Sequence, residues 1–152
     1  MLKNIGAALL LLAFFLTGCA AAPTDAAPGP EITESEALIM QVQIGEYRFS
    51  AVMEENEAVS ELLDVLRDGP LTLELSDYAG FEKVGPLGRS FTADNRQTTT
   101  QPGDIVLYNG SNIVLFYGSN SWSYTRLGRI EDLTNWEEAL GSGDVTVTLS
   151  LE

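Results

Sequence analysis

The sequence predicts a mainly β fold: a closed antiparallel β-barrel of seven or eight strands with two short helices. Three observations carry that prediction. Apolar and polar residues alternate in several short segments, most clearly where Val145, Val147, Leu149 and Leu151 interleave with Thr146, Thr148 and Ser150. Turn formers punctuate those segments, and Asn109-Gly110 is a strong hairpin signal. Only two stretches show helical patterning, and a closed barrel leaves no unpaired strand edges in a secreted monomer.

The chain has 152 residues, a length for one domain. Residues 1–18 read as a signal peptide: Lys3 supplies a basic start and Ile5–Leu16 an apolar run of twelve residues, too short for an ordinary membrane span. Leu16-Thr17-Gly18-Cys19 resembles a bacterial lipobox, in which Cys19 is acylated and becomes the first mature residue. The expectation is a lipoprotein, secreted and lipid-anchored to the extracytoplasmic face of a bacterial membrane; two or more acyl chains anchor stably. Cys19 is the sole cysteine, so lipidation leaves no thiol for disulfides or thiolate catalysis. Residues 19–36 are the lipidated cysteine and a Pro-, Ala- and acid-rich linker without apolar period, which leaves 37–152 to fold.

The formal net charge is −14, and removal of Lys3 with the leader makes it −15. Such a balance argues against nucleic acid or an anionic lipid surface as partner.

Within the folding part, Leu38–Val42 and Tyr47–Val52 are strand-like around a Gly45-Glu46 turn. Asn56 is a good N-cap, with Val59, Leu62, Leu63 and Leu66 at helical spacing and Asp68-Gly69-Pro70 as the stop. Leu71, Leu73 and Leu75 alternate with polar residues as a half-exposed strand. Arg89–Thr100 has few large apolar residues beyond Phe91 and reads as an exposed excursion. Ile105–Tyr108 and Ile113–Tyr117 form a hairpin about Asn109-Gly110. Thr134 with Glu137 three residues later suggests a capping box for a helix at Asn135–Leu140, ended by Gly141.

Four segments in this order resemble the bacterial cyclophilin-like domains: NEAVSELLDVL (56–66), LTLELSDYAGFEKVG (71–85), GDIVLYNGSNIVLFYGSNSWSYTRLGRI (103–130) and GDVTVTLS (143–150). The resemblance covers essentially everything after the linker, and EKVG and FYGSNSWSYTRLG are its specific parts. It implies a cyclophilin-type barrel closed by helices. The chain lacks what true cyclophilins carry: it has no histidine, no Phe-His-Arg strand and no Gly-Ser-Gln-Phe-Phe segment. Arg48, Arg67, Arg89, Arg96, Arg126 and Arg129 all stand outside that context.

Without histidine or a free thiol, Ser-His-Asp chemistry, Cys-His chemistry and His-based zinc sites are excluded. Gly141-Ser142-Gly143 ends a helix rather than opening one, and Asp94 and Asp104 lack EF-hand spacing. No catalytic residue, cofactor or metal is assigned. The candidate ligand-binding residues form two groups with two arginines. Tyr117, Ser119, Asn120, Trp122 and Tyr124 alternate aromatic surface with hydrogen-bonding tips. Alternation puts Trp122 and Tyr124 on one face, which is either the cleft or the core. Tyr78, Phe81 and Glu82 are the second group; Glu82 and Lys83 point to opposite faces of a strand, so one can enter a cleft while the other is solvated. Arg89 and Arg126 are candidate donors to a carboxylate or peptide carbonyl. The function expected is a membrane-tethered, noncatalytic binding module for a small molecule or extended peptide. The alternative is a peptidyl-prolyl isomerase acting on extracytoplasmic proteins.

Overall fold

The computed structural model describes residues 37–152; the leader 1–18, Cys19 and the linker to residue 36 lie outside the described residues. In chain order the elements are β1 (Ile39–Ile44), β2 (Tyr47–Met53), α1 (Glu57–Arg67), β3 (Leu71–Tyr78), β4 (Glu82–Pro86) and β5 (Arg96–Thr99). They continue as β6 (Asp104–Tyr108), β7 (Asn112–Phe116), β8 (Ser121–Ile130), α2 (Trp136–Leu140) and β9 (Val145–Leu151). Eight strands run in the order β2-β1-β9-β3-β4-β7-β6-β8, and β8 returns to β2 from Ala51–Ile130 to Met53–Gly128. The result is the closed antiparallel barrel expected, with β5 as an extra strand outside the ring. β5 lies in the stretch read as an excursion. Its RQTT sequence exposes most of its surface and has no apolar alternation, so pairing with β8 defines it as a strand.

Closure at β8 depends on Gly128. A Cβ there would sit 2.5 Å from the Val52 carbonyl oxygen and 2.9 Å from the Met53 sulfur. The same point carries a bulge: Ile105 faces Gly128 and Val106 faces Arg126, which leaves Leu127 unmatched. Leu127 and Ile130, three residues apart, can therefore both enter the core.

The main core fills the barrel with Met40, Val42, Ile105, Leu107, Leu115 and their neighbours. Both helices add to it. Asn56 caps α1 as expected, its Oδ1 accepting from the Val59 amide at 3.0 Å while its Nδ2 donates to the Arg126 carbonyl at 2.8 Å. Ala58, Val59, Leu62, Leu63 and Leu66 form the buried stripe of α1. From α2, Trp136 is buried edge-on to Phe49 at 4.9 Å, and its indole N–H donates to the Phe116 carbonyl at 2.8 Å.

The capping box at α2 does not form. Asn135 occupies the cap position in the left-handed region (φ 64°) without a side-chain cap bond, and the Thr134 amide donates to Asp132 Oδ1 at 2.9 Å. The tight Asp132–Thr134 turn takes the polar groups that a box would need. Gly141 ends the helix as expected, at φ 56°.

The β6–β7 hairpin is apolar on both faces, unlike a one-sided strand pair. Ile105, Leu107, Ile113 and Leu115 point into the barrel. Val106, Val114 and Phe116 point outward and join Tyr124 in a second buried cluster, partly covered by Phe81, Val84 and Tyr108. This outer cluster is the floor of the candidate site.

Candidate functional site

A cavity of about 320 Å³ opens on the outer face of β4, β6 and β8. Its lining comprises Glu82 and Val84 of β4, Tyr108 of β6, Trp122 and Tyr124 of β8, Tyr78 at the end of β3, and Asn120 just before β8. Five of these, Tyr78, Glu82, Asn120, Trp122 and Tyr124, are among the ten sequence candidates. Val84 and Tyr108 are not, although the outward parity of Tyr108 follows once Leu107 is placed in the core.

Two tight hairpins bring these residues together. Between β3 and β4, Ala79 (φ 52°) and Gly80 (φ 76°) turn the chain so that Tyr78 pairs with Glu82. Asn109 (φ 50°) and Gly110 (φ 68°) do the same between Tyr108 and Asn112. β4 then pairs with β7 in a register that sets Glu82 opposite Phe116. On the far wall, β5 pairs with the first half of β8, Thr98 opposite Trp122 and Arg96 opposite Tyr124.

The aromatic floor is ordered by edge contacts. Tyr124 lies 5.7 Å from Phe116 and 6.2 Å from Tyr108, centroid to centroid, at steep angles. Asn120 Nδ2 donates to the Tyr124 hydroxyl at 2.9 Å. Asn120 is itself held by the buried Thr100, whose hydroxyl oxygen accepts from its amide at 3.0 Å and whose amide donates to its carbonyl at 2.8 Å. Burial is also the main reason the Tyr124 phenol is raised above its ordinary pKa. The mouth is different: Tyr78 and Trp122 stay 58% and 57% exposed, two large aromatics left unburied at one opening.

Glu82 is the acidic group of this groove. Its side chain is 7% exposed, and Oε2 has no hydrogen-bond partner among the described residues. Desolvation pushes the carboxyl up to about 7. The groove lining contains no arginine or lysine to offset it.

The remaining candidates lie elsewhere. Phe81 stacks on Phe116 at 6.5 Å behind the lining, and its Cβ would clash with any side chain at Gly118, 2.7 Å from a Cβ built there. Ser119 is exposed and does not line the groove. Arg126 is paired with Asp104 at 3.1 Å and Glu54 at 3.7 Å, and Arg89 lies beside Glu61, Asp64 and Asp68 near α1. Neither donor expected from these arginines enters the groove.

Tyr117 faces the opposite side of β7, where its hydroxyl donates to Asp77 Oδ1 at 2.6 Å and the phenol is raised to about 12. That carboxylate also accepts from Lys83 Nζ at 2.8 Å. Lys83 corrects the expectation that one of the Glu82-Lys83 pair is solvated. The two do point to opposite faces, but both are buried, and Lys83 is 0% exposed. Its ammonium donates to the Gly141 carbonyl at 2.9 Å and the Gly143 carbonyl at 2.7 Å as well as to Asp77, and it sits 5.4 Å from the Tyr117 ring centroid. Three acceptors match three N–H groups, which is why a buried lysine is tolerated.

The profile of the cyclophilin-like family matches residues 42–150. The chain belongs to the cyclophilin-like family. No curated protein matches it. Among solved structures, this cyclophilin-like barrel is similar to the solution structure of the hypothetical protein AF2241 from Archaeoglobus fulgidus, at 14% identity and a TM-score of 0.56. That match covers 76% of this chain and 95% of the archaeal one, and it speaks for the fold alone. What this cyclophilin-like domain does must be argued from its groove.

Proposed function

We propose that the protein is a membrane-tethered, noncatalytic binding module whose outer groove takes a small molecule or one side chain of an extended peptide. The observation that carries this reading is the exposed Tyr78–Trp122 pair over an ordered aromatic floor. Leaving two large aromatics more than half exposed forgoes roughly 1–2 kcal/mol each of further burial, which a ligand between them would recover. The groove also has the depth and the mix of apolar walls with few polar groups that small-ligand sites share. An isomerase in the manner of true cyclophilins presents a guanidinium to the prolyl peptide; Arg126 is paired with Asp104 and Glu54, and Arg89 lies outside the groove near α1.

Tethering through acylated Cys19 is part of the same proposal and rests on the Leu-Thr-Gly-Cys motif. It holds the domain at the outer membrane–water boundary with the linker as reach.

The test is a thermal-shift and NMR screen of small aromatics, amines and short peptides against the wild type and Trp122→Ala. Ligands are expected to shift the Trp122 and Val84 signals, and Trp122→Ala is expected to weaken them about tenfold. A screen in which nothing moves those signals sinks the binding reading. Acceleration of a prolyl-peptide substrate over its uncatalysed rate would restore the isomerase. For the tether, Cys19→Ser is expected to move the protein from the detergent phase to the aqueous phase on phase partition.

A further inference from the structure

Glu82 makes the groove more than an apolar slot. Carboxylates are rarely buried without a partner, because the charged form loses its hydration and gains nothing in return. Here Oε2 is fully covered and has no partner among the described residues, on a side chain 7% exposed that lines the cavity. The polar groups that share the lining with it are the phenols of Tyr78 from β3, Tyr108 from β6 and Tyr124 from β8, the Trp122 indole and the Asn120 amide, while the Tyr117 phenol lies on the other side of the sheet with Asp77. The Lys83 ammonium is committed to Asp77 and two carbonyls on the opposite face of β4. Aromatic faces attract cations, and a cation seated among them would balance the charge of the ionised carboxylate where Glu82 lines the cavity. An anionic ligand would meet no cationic side chain among the lining residues and would face the carboxylate itself.

We infer that the groove is an ammonium-recognition site, in which Glu82 pairs with the positive head of an organic amine while Trp122, Tyr78 and Tyr108 enclose it. This rests on the binding reading above and names its ligand class. The head can come from a free small amine or from a lysine side chain, and the two sources share the same chemistry. A volume of about 320 Å³ accommodates either one with part of its stem. With the carboxyl raised to about 7, a bound cation must first be met by the ionised form, so affinity for a permanently charged probe rises with pH up to about that value and then levels.

Three probes test this on the folded protein by NMR: choline, its uncharged isostere 3,3-dimethyl-1-butanol, and acetyl-Gly-Lys-Gly-amide. The Trp122 indole N–H reports on the groove, and the buried Trp136 indole N–H serves as control. At pH 8 at least one cation is expected to bind ten times or more tighter than the alcohol, and the tighter of the two identifies the source. Choline affinity is expected to rise about tenfold from pH 6 to pH 8. Glu82→Gln is expected to remove at least tenfold of the choline affinity and leave the alcohol within twofold, with thermal unfolding confirming that the variant is folded. If the alcohol binds as well as both cations, or choline binding is flat across that pH range, ammonium recognition is wrong while the groove remains a binding site. If no probe moves the Trp122 signal, ammonium recognition is wrong, and the broader screen of aromatics and peptides decides the binding reading separately.

Discussion

Glu82 bears a cost in the folded protein that a structural role does not repay. Its carboxyl stays protonated to about pH 7 in the fold, against an ordinary value near 4.5. Between those values the folded state binds more protons than the unfolded chain, so stability falls as pH rises through that window and stays lower above it. Glutamine keeps the volume and removes the charge. Glu82→Gln is therefore expected to stabilise the domain by about 3 kcal/mol at pH 8, seen as a melting temperature roughly 10 °C higher, with little gain at pH 4. Melting curves of the two proteins at both pH values check it; an equal gain at pH 4 would show that charge is not the cause. A residue whose removal stabilises the fold is most readily kept for a ligand. The neighbouring Lys83 is the contrary case, buried with every N–H on an acceptor.

Lys83 acts at the scale of elements, since its ammonium joins β4 to Asp77 of β3 and to the α2–β9 connection at Gly141 and Gly143. Lys83→Met keeps the apolar stem but leaves two inward carbonyls without their donor. The expected loss is about 2–4 kcal/mol, read by chemical denaturation, together with faster amide exchange around residues 141–144 while the β6–β7 hairpin stays protected. The β2–β8 seam is the other junction. A methyl at position 128 meets backbone 2.5 Å away, where neither strand can retreat without opening the ring. Gly128→Ala is expected to cost about 1–3 kcal/mol and to raise exchange at Ala51–Met53 before the rest of the barrel. These junctions also explain which parts of the structure were readable in advance. α1, the β6–β7 hairpin and β9 carry their own local period and turn chemistry, and they appear where the sequence places them. β5 has no period, and its strand character comes from β8. The burial of Lys83 is set by carbonyls some sixty residues away, and the bulge at Leu127 shifts the alternation of β8, so local spacing could not assign either. Of the five candidates that line the cavity, Asn120, Trp122 and Tyr124 come from aromatic–polar alternation, and Tyr78 and Glu82 from the cluster of functional groups at the β3–β4 turn. Arg89 and Arg126 lie outside the groove, and local spacing does not show where a guanidinium sits because its surroundings are tertiary.

For the whole molecule, the acidic groups pull in two directions. Hydrogen bonds hold Glu61 and Asp132 below the ordinary carboxylate range, and Lys83 with Tyr117 does the same for Asp77. Those groups contribute stability that is present above their unfolded values near 4 and lost as pH falls through the lower folded ones. Glu82 contributes the opposite slope between 4.5 and 7. The two meet in a stability maximum at about pH 5, which melting temperature against pH will locate; a maximum at pH 7 or above would contradict the burial of Glu82.

The net charge of −14 adds a second, longer-ranged contribution to any cation in the groove, distinct from contact with Glu82. Salt separates the two, because screening acts within about 10 Å at 0.1 M and reaches a buried contact far less. Raising salt from 0.02 M to 0.5 M is expected to weaken choline binding several-fold in the wild type and by a similar factor in Glu82→Gln. The gap between the two proteins should then persist at high salt, since it measures the local contact. The uncharged alcohol should ignore salt in both. If high salt closes the gap, Glu82 acts as one charge among many rather than as the partner of a bound ammonium, and the specificity assigned to the groove would belong to the surface field of the entire domain.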